Sequence, residues 1–174
     1  VGAATQEAAD GFALQARTLA DGGVDAIVLE TFLSLAEARI AVAAALATGL
    51  PVVSSFHFHP VEGQPRTLDG TSPEDVARAM AEAGADGVGA NCGAGVEGIA
   101  DVCRRLASAC RLPIWIKPNA GSPTIEGGRA VYSQSAEDFA ARLPEWLQAG
   151  AWCVGGCCGT TPEHIAALRR RAES

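Results

Sequence analysis

One complete strand–helix–strand unit lies in residues 51–91, PVVSSFHFHPVEGQPRTLDGTSPEDVARAMAEAGADGVGAN. Its first eight residues, 51–58, are β-branched and aromatic and predict a strand. A polar loop is expected over 59–71, and Ser72-Pro73-Glu74-Asp75 then supplies an N-cap, a first-turn proline and acidic residues for a helix start. Gly84 ends that helix, and a short glycine-rich strand is predicted over 87–91. This order is the unit of a parallel sheet.

The same alternation extends in both directions along the chain. A leading helix is predicted over 6–21, further strands over 26–29, 113–116 and 152–156, and further helices over 34–48, 96–109, 135–148 and 161–171. A long loop that runs through Gly127-Gly128 is expected after the strand over 113–116. Ser34-Leu35-Ala36-Glu37 has the pattern of a capping box. Five strand-then-helix units predict the α/β class, and both a doubly wound sheet and a (β/α) barrel satisfy this order. In either fold the chemistry lies at the carboxyl ends of the strands.

Composition excludes several classes of protein. A chain of 174 residues with 48% apolar and 19% charged residues is typical of one globular domain, which we place at residues 1–174. Its formal charge of −7 argues against a nucleic-acid partner. The sequence has no apolar run long enough for a membrane span. Six cysteines are too sparse for a disulfide scaffold, and free thiols fit a reducing compartment, so a cytoplasmic location is expected.

A polar or metal-ligating residue ends every predicted strand. These ends are Glu30-Thr31, His57-Phe58-His59, Asn91-Cys92, Lys117-Pro118-Asn119 and Gly156-Cys157-Cys158-Gly159. Three thiolates at one rim suit a zinc ion whose fourth position stays open, and Cys92, Cys157 and Cys158 form such a set. The alternative is three incidental core cysteines, and spacing alone leaves both possibilities open. The other three, Cys103, Cys110 and Cys153, are expected to be small buried hydrophobic residues.

Several motifs resemble the homocysteine S-methyltransferase family, which includes cobalamin-dependent methionine synthases and betaine–homocysteine methyltransferases. The most specific are Gly155-Gly-Cys-Cys-Gly-Thr-Thr-Pro-Glu-His-Ile165 and Gly89-Ala-Asn-Cys92, and Leu29-Glu-Thr31, Arg66-Thr-Leu-Asp-Gly70 and Lys117-Pro-Asn-Ala-Gly121 follow the same pattern. The likeness covers nearly the whole chain and is greatest to the homocysteine-binding domain of the cobalamin-dependent members. It implies a (β/α)8 TIM barrel in which zinc, held by the three matching cysteines, binds homocysteine through its sulfur for conversion to methionine.

The resemblance also implies roles for residues beside the metal. Glu30 matches the acidic residue that holds the amino acid's ammonium group, and a helix-dipole role is its alternative. Asn91 is expected to bind substrate or orient a thiolate, as is Asn119, although either could be turn chemistry. A methyl donor carried on a separate module or partner, such as methylcobalamin, is favoured over betaine or S-methylmethionine.

Two other features carry weaker hypotheses. His57 and His59 form a His-x-His pair, typical of metal sites in hydrolase barrels, but loop or substrate-pocket roles are favoured and the resemblance assigns them none. The amides near Gly159 at a helix start favour negative charge, here that of the metal site or of a substrate carboxylate.

The five predicted strands match strands four to eight of the family barrel. The first three have no counterpart here, and five strands cannot close an eight-stranded barrel. We expect a domain truncated at its N-terminus, which the start at Val1 rather than Met favours, or a half-barrel completed by a partner chain, or an open sheet. A non-catalytic zinc-binding half-barrel is the alternative function.

Overall fold

The computed structural model describes residues 2–173, with side chains from residue 5 onward. The helices are α1 (Gly2–Asp21), α2 (Leu35–Leu46), α3 (Pro73–Glu82), α4 (Gly95–Ala109), α5 (Ala136–Ala141), α6 (Leu143–Gln148) and α7 (Pro162–Ala172). The strands are β1 (Ile27–Phe32), β2 (Val52–Phe56), β3 (His59–Val61), β4 (Gln64–Arg66), β5 (Gly87–Asn91), β6 (Ile114–Lys117), β7 (Pro123–Glu126), β8 (Arg129–Tyr132) and β9 (Ala151–Val154).

Five of these strands form one parallel sheet in the order β1-β2-β5-β6-β9. Each new strand adds beside the previous one and the order never reverses, whereas a doubly wound sheet requires a reversal. Right-handed crossovers between successive neighbours place the connecting helices on one face of such a sheet. The predicted α/β class and parallel sheet are therefore confirmed, and the strand order is not that of a doubly wound sheet. Within the described residues β1 and β9 are edges of this sheet.

The core lies between the sheet and its helices. The sheet contributes Val52, Phe56, Val88, Ala90, Ile114 and Ile116, and the helices contribute Val42, Val76, Met80, Ile99, Leu106 and Trp146, all nearly inaccessible to water. Burying a side chain of this size is worth about 1.5–3 kcal/mol, so this layer holds the strands in place. The carboxyl ends of all five strands consequently meet along one edge of a rigid sheet.

Two β-hairpins occupy segments that the sequence predicted as loops. In the first, β3 pairs with β4 through Glu62 and Gly63, whose φ angles are 50° and 77°. In the second, β7 pairs with β8 through Gly127 and Gly128, with φ of 55° and 78°. Two successive residues with positive φ make the two-residue turn that fits the twist of a hairpin. The loop predictions over 59–71 and after 117 were wrong at these strands.

Two helix predictions also need correction. The helix predicted over 135–148 is two helices, because the first ends at Ala141, with Arg142 as its C-cap, and the second has Pro144 in its first turn. The capping box predicted at Ser34 is wrong, since the Ser34 side chain makes no cap hydrogen bond. Instead Asp69 Oδ2, from the loop before α3, accepts the Leu35 backbone N–H at 2.8 Å.

Asp69 holds this loop together as well as capping α2. Its other carboxylate oxygen accepts hydrogen bonds from the hydroxyls of Thr67 at 2.5 Å and Thr71 at 2.8 Å. Partial burial opposes ionisation of Asp69, but these hydrogen bonds and the Leu35 N–H outweigh it and lower its pKa to about 2. A carboxylate distant in sequence therefore replaces the local cap that Ser34 would have supplied.

Among the helices between residues 2 and 173, none is both long and apolar enough to cross a bilayer.

Candidate metal centre

Three cysteine thiols from two strand ends meet at the carboxyl edge of the sheet. Cys92 follows β5, and Cys157 and Cys158 follow β9. Their sulfurs lie 2.9 Å apart for Cys92 and Cys157, 3.7 Å for Cys92 and Cys158, and 3.9 Å for Cys157 and Cys158. Among the described residues this is the one group of three side chains able to hold a metal ion. The structure thus brings together the three residues that the sequence predicted as ligands.

The sulfur distances fit a tetrahedral thiolate site. Zinc–sulfur bonds of about 2.3 Å at a tetrahedral angle separate sulfurs by about 3.8 Å. Two of the three distances match this value, and the third pair, which shares a hydrogen bond, would widen by about 0.9 Å on ligation. All three cysteines are free thiols, and Cys158 is exposed, so an ion held here would have one side open to solvent.

Local backbone geometry aims the three thiols at one point. Cys92 has a φ of 56°, a left-handed conformation that costs a non-glycine residue of order 1–3 kcal/mol. On the other side, the Cys157 N–H donates to the Pro118 carbonyl at 2.9 Å, and the Cys158 N–H donates to Asn119 Oδ1 at 3.0 Å. Two consecutive side chains are held on the loop after β6 in this way. Asn119, which was expected to orient a thiolate or substrate, is thus an acceptor for the Cys158 backbone.

Asn91 connects the metal centre to two other strand ends. It is 1% exposed, and its Oδ1 accepts hydrogen bonds from the Thr31 N–H at 3.0 Å and the Ser55 hydroxyl at 2.7 Å. Its Nδ2 donates to Thr31 Oγ1 at 2.6 Å and lies 3.7 Å from Cys157 Sγ. Thr31 also has a left-handed φ, 65°, which these bonds hold in place. One buried amide therefore fixes the ends of β1, β2 and β5 against a ligand thiol.

The thiols differ in their readiness to ionise. Burial raises the pKa of the Cys92 thiol to about 12, and its hydrogen bonds to the other two cysteines add to the rise. Burial also opposes ionisation of Cys157, but hydrogen bonds from Cys92 and Asn91 outweigh it and lower its pKa. Cys157 therefore ionises more readily than Cys92.

A tyrosine from the second hairpin covers one side of the cysteine turn. The Tyr132 ring lies directly over Gly159, where a Cβ would overlap the ring, and Gly159 has a φ of 80°. Desolvation and the neighbouring Cys158 raise the pKa of Tyr132. Only glycine satisfies both the backbone angle and this close approach.

Glu30, the predicted ammonium-binding residue, forms an ion pair with Lys117 Nζ. The Glu30 side chain is 45% exposed and that of Lys117 is 16% exposed. Both come from strand ends on the same edge of the sheet as the cysteines. Glu30 and the thiols thus belong to one rim, with a half-buried cation beside the carboxylate.

The three histidines lie outside the cysteine cluster. The His57 and His59 rings are 6.2 Å apart, and no third potential ligand among the described residues completes a metal site with them. Burial lowers the pKa of His57, helped by the charge of His59, and His59 lines a cavity of about 350 Å³ beside α4. His164 Nδ1 accepts the Thr161 N–H at 3.1 Å, so its Nε2 carries the proton and donates to the Gln134 carbonyl at 3.1 Å.

The remaining cysteines have no part in the cluster. Cys103 is fully buried, as predicted, and burial raises its pKa to about 11. Cys110 and Cys153 were also expected to be small buried hydrophobic residues, but they are only half-buried. Next to Gly159, where the backbone amides were expected to face negative charge, Thr160 bonds within its own turn. Its N–H and its hydroxyl both donate to the Cys157 carbonyl, at 3.2 and 2.7 Å.

Sequence reasoning missed four participants in this rim: Ser55 and Thr31 as partners of Asn91, Lys117 as partner of Glu30, and Tyr132 over Gly159. For Lys117 a signal existed, because it stands at the carboxyl end of one predicted strand and Asn91 at the carboxyl end of another, and neighbouring parallel strands place such residues side by side. The two are indeed register partners. Ser55 gave only the weak signal of a polar residue inside an apolar strand.

Comparisons with known proteins agree with this geometry. The chain is 31% identical over 160 residues to a methionine synthase from Mycobacterium leprae, covering 90% of this chain and 13% of that protein. The crystal structure of the homocysteine methyltransferase MmuM from Escherichia coli, apo form, superposes with a TM-score of 0.74 at 28% identity, over 94% of this chain and 57% of MmuM. Its metallated form gives a TM-score of 0.72 at 27% identity, over 95% of this chain and 52% of that one.

The sequence profile of the homocysteine S-methyltransferase family matches residues 2–172. The chain spans about an eighth of the length of the methionine synthase and just over half of MmuM. The predicted resemblance is confirmed: the chain belongs to the homocysteine S-methyltransferase family.

Proposed function

We propose that this chain binds zinc through Cys92, Cys157 and Cys158 and uses it in methyl transfer to the thiol of homocysteine. The observation that carries the proposal is the convergence of three free thiols within 3.9 Å of one another at the carboxyl edge of a parallel sheet. A zinc ion with three sulfur ligands and an open fourth position would bind a substrate thiol as the nucleophilic thiolate. Methyl transfer to homocysteine is the activity that gives the family its name.

The residues around the thiols prepare this site. Asn91 directs its Nδ2 at Cys157, which stabilises negative charge on that sulfur. Asn119 holds the Cys158 backbone, so that the two consecutive ligands keep one orientation. Because these donors and acceptors are fixed before substrate arrives, little reorganisation is required when a thiol binds.

Glu30 is the proposed anchor for the ammonium group of the substrate. Its carboxylate is 45% exposed and lies on the same edge as the thiols, where a charged group can reach it. A carboxylate holding the ammonium would turn the substrate sulfur toward the metal. Asn91 is proposed to assist by positioning the ligand thiol, since its amide is already engaged by Thr31 and Ser55.

The methyl donor is proposed to arrive from outside this domain. The chain covers 13% of the methionine synthase that it resembles, which leaves room in that protein for other modules. Methylcobalamin carried on a separate module or partner is therefore the favoured donor. The reducing cytoplasm, the proposed location, would keep the three thiols available for metal.

A specific observation favours one alternative, a zinc-binding half-barrel that requires a partner chain for catalysis. Both edges of the five-stranded sheet carry exposed apolar side chains, with Val28 on β1 at 36% and Trp152 on β9 at 70%. Uncovered strand edges of this kind are sites of association with further strands. Under this alternative, metal binding persists but methyl transfer requires the partner.

Metal content and methyl transfer test both functions together. Protein purified under reducing, chelator-free conditions is expected to contain about one zinc ion per chain, and Cys157→Ser is expected to lose it. Cys110→Ser is the matched control, because Cys110 is also half-buried but bonds to the Leu106 carbonyl, away from the cluster. Homocysteine methylation is then assayed with methylcobalamin, S-methylmethionine and betaine in turn.

The outcomes separate the two readings. Methionine formation that depends on zinc and on Cys157 supports the proposed transferase. Stoichiometric zinc without methylation from any donor favours the half-barrel alternative. Protein that contains no zinc, or whose zinc is indifferent to Cys157→Ser, would refute both.

A further inference from the structure

Lys117 is the only lysine in the chain, among thirteen basic residues, and it ends β6 beside the metal centre. It pairs in register with Asn91 of β5, and the Cys92 N–H donates to the Lys117 carbonyl at 3.2 Å. Registered residues of neighbouring parallel strands point to the same face. The Lys117 side chain therefore starts on the face where the Asn91 amide reaches Cys157.

The surroundings of Lys117 hold its ammonium group near this rim. Its methylene stem packs on Gly155, where an added Cβ would stand 3.1 Å from Lys117 Cγ. The side chain is only 16% exposed, so its charge is partly removed from water. A partly desolvated cation binds an anion more strongly than an exposed one.

The ion pair of Lys117 with Glu30 places opposite charges side by side. An α-amino acid carries an ammonium and a carboxylate group on one carbon. It can therefore replace the Lys117–Glu30 ion pair with two, one between its ammonium group and Glu30 and one between its carboxylate and Lys117. The distance also suits homocysteine, whose sulfur and carboxylate carbon are roughly 5 Å apart when carbon–carbon bonds are about 1.5 Å long. Neighbouring strands are about 4.8 Å apart, and β6, which ends in Lys117, lies beside the strands that the cysteines follow. The two distances are therefore similar.

Resting on the function proposed above, we propose that Lys117 determines substrate specificity by binding the α-carboxylate of the thiol substrate while Glu30 binds its α-ammonium group. The site then selects amino-acid thiols and rejects thiols that lack either charge. Gly155 contributes by leaving room for the lysine stem. The competing explanation is that Lys117 contacts no substrate and only positions Glu30.

Binding of three thiols to the zinc-loaded protein tests this by calorimetry. Homocysteine carries both charged groups, 3-mercaptopropylamine lacks the carboxylate, and 4-mercaptobutyrate lacks the ammonium. Wild type is expected to prefer homocysteine over 3-mercaptopropylamine by about tenfold or more, the range of a charge-assisted hydrogen bond. Lys117→Gln is expected to bind homocysteine and 3-mercaptopropylamine equally, but still to prefer homocysteine over 4-mercaptobutyrate. Lys117→Arg, which keeps the positive charge, is expected to keep part of each preference.

Glu30→Gln is the reciprocal variant and should lose the preference over 4-mercaptobutyrate instead. The opposite result for Lys117→Gln would overturn the proposal. If this variant loses the preference for homocysteine over 4-mercaptobutyrate and keeps the preference over 3-mercaptopropylamine, Lys117 is a positioning residue for Glu30. Zinc content is measured for every variant, so that loss of metal is not mistaken for loss of a contact.

The single lysine allows a second readout that does not depend on activity. In Glu30→Gln protein labelled with 13C-lysine, one side-chain signal should shift and saturate when 4-mercaptobutyrate is added, since no ion pair with Glu30 remains to be displaced. An unmoved signal at saturating ligand counts against the carboxylate contact. Wild type that binds homocysteine and 3-mercaptopropylamine equally overturns the Lys117 assignment alone, whereas wild type that binds none of the three thiols overturns the proposed function as well.

Discussion

Replacing Asn91 with alanine should destabilise the sheet and the metal centre together. The substitution removes the acceptor of the Thr31 N–H and the Ser55 hydroxyl and the donor to Thr31 Oγ1. Each such bond contributes about 1 kcal/mol net, so three contribute about 3 kcal/mol. Thr31 is exposed and can turn to water, but Ser55 is fully buried and its hydroxyl would be left without a partner. We therefore expect a loss of about 3 kcal/mol in the free energy of unfolding.

Urea unfolding followed by circular dichroism measures this loss. With a slope of about 2 kcal/mol per molar urea, the midpoint should fall by about 1.5 M. Asn119→Ala is the matched control, because it removes a single hydrogen bond, to the Cys158 N–H, and should cost about 1 kcal/mol. Zinc affinity should fall by about 10- to 100-fold in Asn91→Ala, as for other residues that orient metal ligands. An Asn91→Ala protein no less stable than Asn119→Ala would refute the bridging role of Asn91.

Two further predictions concern the scaffold. The pKa of Asp69 falls from 3.8 to about 2 on folding, so the stability that its carboxylate contributes is present above pH 4 and is lost as the pH falls toward 2. Asp69→Asn should therefore lower the free energy of unfolding by about 1 kcal/mol, a value discounted for exposure, and should weaken the pH dependence of acid unfolding in that range, whereas Ser34→Ala should cost under about 0.5 kcal/mol. An unchanged acid-unfolding profile in Asp69→Asn would contradict the capping role of Asp69. Gly89→Ala should destabilise the sheet by about 3 kcal/mol or more in thermal unfolding, because the added Cβ would overlap the Trp115 carbonyl. Gly11→Ala is the control, since Gly11 lies on an open helix surface and its replacement should be neutral or stabilising. Equal stability of the two variants would show that β5 and β6 approach each other less closely than described.

The position of the three-cysteine cluster could be predicted from sequence because it depends on strand direction alone. Once the strands alternate with helices, their carboxyl ends share one edge, and Cys92, Cys157 and Cys158 follow directly. No knowledge of register is required, since a strand end stays a strand end even if its bounds move by a residue or two. The same reasoning left a doubly wound sheet open, and only the observed strand order removes it.

Contacts that depend on register were beyond this reasoning. Asn91 reaches Thr31 and Ser55 because three strands are aligned to within one residue, and a shift of one residue would turn the amide to the other face. The ion pair of Glu30 with Lys117 joins residues 87 positions apart and has the same requirement. Local sequence patterns carry no information about such alignment.

The hairpin turns were predictable, whereas the cap of α2 was not. Gly127-Gly128 is a recognised two-residue hairpin turn, and its flanking residues include the β-branched Thr124, Ile125 and Val131. The Ser34 pattern failed for a different reason, because Asp69 occupies the position at the helix start that the serine would use. A local signal was displaced by a contact from 34 residues away.

At Cys92 and Thr31, where the backbone is left-handed, fold stability and the proposed metal site favour different residues. Glycine at either position would relieve the strain, so substitutions that improve stability there are easy to reach and remove a ligand or the partner of Asn91. Folding alone would favour glycine at both positions. The proposed metal site instead requires a sulfur at Cys92 and a hydroxyl partner for Asn91 at Thr31, and the strain is the cost of placing those groups at the ends of β1 and β5.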